Sequence, residues 1–447
     1  MHIAGYLCSP THKDDVEYRP LRPRGSSDEN DAPSHAACAI SSSKSRAWRL
    51  CTRWAKPLVA VGTATLLVLT SFFLFTFFVE RYAIYNFEVS GFAFADPAEH
   101  YGDASESAKR WVEDLSPRVT PVMVHSHNDY LRPRPLFSAL SVGCASVEAD
   151  IWLSSNGRDL LVGHHWWNLR PEKTLQSLYI TPLLQILDAL NSPHHADNHT
   201  ETETDSTAGV FVTEPKKTLI LFIDVKDDAA KTWPILLKHL EPLRERGYLS
   251  YHQKLSSTST NQSFHSGPLT VVGTGNIVKR RDVNIGADLG KYQKYHDVFL
   301  DASLDLLSNP GFCQRMDSQC ELQENEFYTA SVSIWRALGI VIPYVSQAQR
   351  SILKNQIKLA KDLKLKSRYW ELPVWPTSQR NYFWRTLAHE GVDLLNADDI
   401  VSAATKRWHS DYTIEGAWIL GIASCLSSFL FTVIWFGRRM MRRAMSV

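Results

Sequence analysis

His125 and His127 stand two residues apart in "PVMVHSHNDYLR", where the apolar run Val122, Met123, Val124 breaks into histidine, serine, asparagine and aspartate. Glu148 and Asp150 repeat that spacing in "SVEADIWL", and Asp224 and Lys226 repeat it in "LILFIDVKDD". Between them "DLLVGHH" runs into His164 and His165. Side chains at i and i+2 of a strand point to one face, so each pair presents two polar groups together. Three carboxylates can hold a hard divalent cation, Mg or Ca, through oxygen. Histidines take and give protons near neutrality, and a lysine neutralises a phosphate. As a set these groups describe metal-assisted cleavage of a phosphodiester. Singly, each has a plainer reading: a strand-end histidine or aspartate caps backbone, and a Glu-x-Asp pair lies on a solvated edge. The ordered set on successive strands favours chemistry.

The elements that must position these groups alternate. Short apolar runs recur at 121–125, 145–153, 218–226, 269–273, 297–303, 328–334, 366–372 and 392–398, with helical stretches at 133–142, 174–190, 228–247, 347–363 and 379–390. Eight strands with intervening helices predict an α/β fold of the (β/α)8 TIM type, with the chemistry at the C-terminal strand ends. A doubly wound sheet is the alternative, but no Gly-rich first turn is present. Two polar stretches, 191–217 and 252–267, read as surface insertions, and His194, His195 and His199 as loop residues.

The chain has 447 residues and a formal net charge of +1, too little basic excess for a nucleic-acid groove. Pro57 to Val79 and Gly416 to Gly437 carry no charged residue. Each is long enough to cross the roughly 30 Å hydrocarbon layer as a helix. Arg46, Arg49, Arg53 and Lys56 precede the first, and Arg438, Arg439, Arg442 and Arg443 follow the second. Positive flanks face the cytosol, so the region between is expected in the lumen or outside the cell, in the secretory system. The sequons at Asn198 and Asn261 agree with that topology. The expected organisation is a disordered arm (1–56), a transmembrane helix (57–79), a linker (80–117), a barrel (118–405), a second transmembrane helix (416–437) and a basic tail (438–447). Of the cysteines, Cys144 lies in an apolar run and reads as a packed free thiol, whereas Cys313 and Cys320 could close a short loop.

Several of these stretches resemble a known superfamily. "SHNDY" is similar to the Ser-His-Asn-Thr-Tyr stretch of phosphoinositide-specific phospholipase C, and "GCASVEADIWLSSNGRDLLVGHH" to its Glu-x-Asp and histidine segment and to that of the glycerophosphodiester phosphodiesterases. "IDVK" resembles the Asp-x-Lys of the spider-venom phospholipase D branch. "HSHNDY", "SVEADIWL", "LLVGH", "TLQSLYI", "VVGTGN", "RYWELPVWP" and "GVDLLNADD" resemble most closely the fungal altered inheritance of mitochondria protein 6 family.

The resemblance implies a phosphoric diester hydrolase acting on a lipid-like or glycerol phosphodiester at a membrane. It implies His127 and His164 as the acid/base pair, Glu148, Asp150 and Asp224 as metal ligands with Asn128 as a fourth, Lys226 on the phosphate, and Trp370 lining the site. The His-Arg-Gly opening of the glycerophosphodiesterases is absent, and Asp224 stands where many relatives have glutamate. His125 competes with His127, and His165 with His164. Two rival readings remain: a metallohydrolase of the amidohydrolase or polymerase-and-histidinol-phosphatase type, with both His125 and His127 as ligands, and a membrane scaffold without turnover.

Overall fold

The computed structural model describes residues 61–71, 104–192, 207–253, 263–279, 295–308, 326–341, 344–374, 377–406 and 408, with a few positions in the two apolar segments. The chain divides into two units, residues 1–70 and 71–447. In the first, residues 61–70 are helical. Among the described residues no helix is long and apolar enough to cross a membrane, so the expectation of two flanking spans is unsupported by the fold. Most of Gly416 to Gly437, the arm 1–56, both sequons and the Cys313–Cys320 pair lie outside the described residues.

In the second unit eight parallel strands follow one another: β1 (Val122–Ser126), β2 (Cys144–Leu153), β3 (Leu219–Val225), β4 (Leu269–Gly275), β5 (Val298–Ser303), β6 (Phe327–Ser333), β7 (Lys366–Trp370) and β8 (Leu395–Ala397). They are neighbours in the order β7-β6-β5-β4-β3-β2-β1-β8. The two ends meet through a parallel bridge between Arg368 and Leu394, where the Leu394 N–H donates to the Ser367 carbonyl at 3.0 Å. The sheet is thus a nearly closed parallel eight-stranded barrel with helices, of the TIM type. Each strand falls on one of the apolar runs read from the sequence.

Strand alternation divides the core in two. Leu219, Leu221, Ile223 and Val225 face outward to the helices, with Val147, Ala149 and Ile151 of β2 beside them. Ile220, Phe222, Val272, Phe299 and Leu394 face inward and fill the barrel, with Met123 and Tyr328 against them. Glu148 and Asp150 belong to the inward set of β2, which carries them up the lumen toward its C-terminal mouth. Residues 104–118, read as linker, are helical turns instead, and the Trp111 indole is wholly buried and donates to the Val210 carbonyl at 2.9 Å. The 252–267 stretch contributes two strands, Tyr251–Gln253 and Ser263–His265, to a small antiparallel sheet whose Phe264 meets Phe299. Cys144 is buried and forms no disulfide among the described residues.

Candidate active site at the barrel mouth

Parallel register places the carboxylates side by side. Asp150 of β2 lies opposite Asp224 of β3, and Glu148 lies one inward step below. Oxygens of Glu148, Asp150 and Asp224 all fall within 4.8 Å of one another. The glycine that ends β4 makes room for this. Gly275 has φ +72°, and a Cβ there would sit 2.0 Å from Asp224 Oδ1.

The two histidines arrive from opposite sides. The His127 N–H donates to the Ala397 carbonyl at 3.1 Å, which ties the end of β1 to the end of β8. His127 Nδ1 thereby lies 2.9 Å from Asp398 Oδ1, and Nε2 lies 3.8 Å from Glu148 Oε2. His164 is delivered by a hairpin: Leu160–Val162 folds back antiparallel on β2, and the Gly163 N–H donates to the Asp150 carbonyl at 3.1 Å. That leaves His164 Nδ1 3.0 Å from Asp150 Oδ2.

Asn128 turns the chain between them in the left-handed region, φ 49°, and its N–H donates to Glu148 Oε2 at 3.1 Å. The Tyr130 hydroxyl sits 2.7 Å from both Asn128 Oδ1 and Asp150 Oδ2, and donates to one at a time. Asp129 secures the turn from beneath, fully buried, accepting from Ser126 Oγ, the Leu136 N–H and the Tyr179 hydroxyl. Lys226 Nζ lies 2.9 Å from Asp150 Oδ2 and 3.0 Å from Asp224 Oδ2, so its charge is spent on two of the three carboxylates. Trp370 is half-buried and shares the inward face of β7 with Arg368.

Geometry separates the paired histidines. His125 is wholly buried below the mouth, with Nδ1 2.8 Å from Ser146 Oγ and Nε2 3.0 Å from Arg368 Nη1. Because the guanidinium can only donate, His125 Nε2 accepts and the ring proton sits on Nδ1. Burial, and then the Arg368 charge, lower its pKa to about 4. With its Nε2 lone pair engaged by Arg368, His125 is a poor metal ligand. His165 is exposed and stacks on Trp167, its ring centroid 4.1 Å away. His125 Nε2 also lies 3.5 Å from Glu148 Oε2, but from within the barrel; His127 and His164 are the members of each pair that stand at the mouth with a carboxylate on Nδ1.

The electrostatics are those of a site short of positive charge. Burial, then the neighbouring Glu148, push the Asp150 carboxyl up to about 6 against the pull of Lys226. Burial raises Asp224 as well. Burial also works against Glu148, but His127, His125 and Arg368 outweigh it and hold its carboxyl well below the ordinary range. Burial lowers and Glu148 and Asp398 raise the His127 pKa, with a net rise. A hard cation among these oxygens would supply the missing charge, so the residues fit a Mg or Ca site.

Three contributors escaped the sequence reading. Asp398 stands at the end of β8, where the strand-end rule points, but its partner lies 271 residues away. Tyr130 belongs to the "HSHNDY" motif, but nothing in its sequence position reports the partners of its hydroxyl. Arg368, two residues before Trp370, is 4% exposed inside the barrel, where it reaches Ser331, Asn396 and His125 and lies over the Phe222 ring at 4.6 Å.

Residues 113–301 match the family described as AIM6-like phosphodiesterase domain. The altered inheritance of mitochondria protein 6 homolog of Arthroderma benhamiae is 38% identical over 306 residues, covering 66% of this chain and 86% of that protein. Altered inheritance of mitochondria protein 6 of Eremothecium gossypii is 34% identical over 295 residues, 63% of this chain and 69% of that protein. A glycerophosphoryl diester phosphodiesterase from Parabacteroides distasonis covers 68% of this chain and 92% of its own at 11% identity and a TM-score of 0.34, too slight a likeness to align the sites. The chain belongs to the altered inheritance of mitochondria protein 6 family and carries its phosphodiesterase domain.

Proposed function

We propose that the barrel hydrolyses a lipid-like or glycerol phosphodiester, with a divalent metal, Mg or Ca, and with His127 and His164 as the acid/base pair. One observation carries this: three carboxylates within 4.8 Å of one another at the barrel mouth, with a carboxylate-bound histidine on either flank. The family's phosphodiesterase domain supports the reaction class.

Glu148, Asp150 and Asp224 would hold the cation, with Asn128 as a fourth oxygen donor. When bound, the cation stabilises the charge that develops on the phosphoryl oxygens. The Lys226 ammonium, held beside Asp150 and Asp224, would contact a phosphate oxygen of the bound diester. Asp398 and Asp150 each fix an Nδ1, which orients the two rings and leaves Nε2 as the proton-exchanging atom of each. One histidine takes the proton of the nucleophile, a water or a substrate hydroxyl, and the other returns a proton to the leaving oxygen. Trp370 lines the mouth.

The two charge-free segments with basic flanks support anchoring of the chain in a membrane of the secretory system, with the barrel on the lumenal or outer side. Helical residues Leu66, Leu67 and Val68 are each more than 60% exposed, an unfavourable surface in water and a natural one in lipid. The test is a panel of glycerophosphodiesters and choline-, ethanolamine- and inositol-bearing phospholipids given to the purified full chain. His127→Ala and His164→Ala are each expected to lose about 10²–10⁴ in turnover. Undiminished cleavage by either variant would remove that histidine from the mechanism.

A further inference from the structure

Ten large apolar side chains are exposed among the described residues between positions 104 and 408: Leu131, Trp166, Trp167, Trp335, Ile340 and Tyr344, together with Val212, Phe264, Ile352 and Leu363. The first six share a topological address. Leu131 follows β1, Trp166 and Trp167 follow β2, and the other three lie in the connection after β6, Trp335 within its short helix Ile334–Leu338 and Ile340 and Tyr344 between that helix and the long helix Gln347–Asp362. All βα connections of such a barrel lie at its C-terminal end. The exposed apolar surface is therefore concentrated around the catalytic mouth, and only four side chains are left for the rest of the barrel.

The exposure is built, since fixed backbone holds it. Trp166 and Trp167 are 68% and 64% exposed in a short 3-10 turn whose ends, His165 and Asn168, cap each other. Leu131, 63% exposed, ends the turn Asp129–Leu131, whose Asp129 is pinned by three hydrogen bonds. The two turns are joined at the site itself, where the Tyr130 hydroxyl lies 3.2 Å from His164 Nδ1. An apolar rim of this size on a soluble face marks a contact surface. Its tryptophan content matches the headgroup layer of a bilayer, where an amphipathic ring is most at home.

Chain length brings such a layer within reach. Trp408 is packed in the barrel, and the second apolar segment begins eight residues later at Gly416. An extended chain spans at most about 3.5 Å per residue, so the tether holds the barrel within about 30 Å of the bilayer and makes docking effectively intramolecular.

Resting on the membrane anchoring proposed above, we infer that Leu131, Trp166, Trp167, Trp335, Ile340 and Tyr344 seat the catalytic end of the barrel in the headgroup layer of a phospholipid bilayer. A lipid phosphodiester then reaches the carboxylates by a short lift from the membrane surface, and a fully water-borne diester reaches them without that contact.

The test is amide hydrogen exchange of the full chain in nanodiscs of phosphatidylcholine and phosphatidylserine, wild type against Trp166→Ser/Trp167→Ser. Exchange over 129–134 and 335–341, which the substitutions do not touch, is expected about tenfold slower in the wild type. Segments at the other end, 211–217 and 263–267, are expected unchanged. Leu131→Ser alone, read over 164–170, gives the reciprocal comparison. Equal exchange in wild type and both variants would overturn the inference. Both variants are expected to cleave bis(4-nitrophenyl) phosphate in solution within about twofold of wild type, since binding energy spent on a surface does not act on a soluble substrate. A large loss there would assign the rim to the substrate mouth and overturn the docking. Carbonate extraction reads the anchor separately: a released wild-type chain overturns the spans, while rim protection that persists in nanodiscs upholds docking.

Discussion

Arg368 is the residue on which the interior charges converge. It lies under the site with Asp301 Oδ2 3.7 Å from Nη2, His125 on Nη1 and Ser331 on Nε. Removing a guanidinium buried among these groups leaves Asp301 without its cationic partner and weakens the hold on Glu148, which keeps His127. Arg368→Met is therefore expected to lower stability by about 3–5 kcal/mol, seen as a depressed thermal unfolding midpoint; an unchanged midpoint would mean the network relaxes freely. His125 carries a pH signature. Its pKa in the fold is about 4, against 6.5 ordinarily, because burial disfavours the charged ring. A lowered histidine pKa contributes stability that is complete above 6.5 and is lost as pH falls through 4. By linkage that contribution is about 3 kcal/mol. Wild type should lose midpoint more steeply than His125→Gln between pH 7.5 and pH 4.5, and parallel curves would contradict the assignment of a buried neutral ring.

At the scale of the element, the end of β4 decides how Asp224 is held. Gly275→Ala must move the Asp224 carboxylate or the backbone, because the added Cβ would meet Asp224 Oδ1 and the Val225 carbonyl at 2.0 and 2.7 Å. Turnover should fall about tenfold or more, as expected when the support of a metal ligand is disturbed, while secondary structure by circular dichroism stays intact. Wild-type turnover in this variant would show that Asp224 is not held as described. The eight strands are legible in the sequence because each is a buried run bounded by polar residues, and the period of two places Glu148, Asp150 and Asp224 on the lumen side without further help. His164 is legible as a strand-end residue but its approach is not: the hairpin Leu160–Val162 rests on three pairings with β2 that no periodicity reports. Asp398 and Arg368 are harder still. Their partners, His127 and His125, are brought to them only when β8 pairs with β1 and β7 bridges to β8, across 271 and 243 residues.

At the scale of the whole molecule, the barrel is asymmetric. One end gathers the acidic cluster, the two carboxylate-bound histidines and the exposed tryptophans, and the other is closed by the small sheet under Phe299. A chain with two charge-free segments and such a barrel should remain in the membrane pellet after alkaline wash, and appearance in the supernatant would contradict the anchor. What the bulk sequence conveys here is length and charge: 22 or 23 uncharged residues beside arginines are enough for a bilayer-sized helix, an expectation that no helix among the described residues bears out. The rim is not legible in that way, because exposure of Trp166 and Trp167 depends on the turn that presents them. Catalysis at the barrel mouth is expected to depend on the cation. Chelating the purified full chain and measuring turnover of its best phosphodiester, before and after Mg or Ca is returned, should show a loss of about 10² or more with full recovery. Glu148→Gln should show no recovery. A chelated chain that cleaves at the untreated rate would contradict the account.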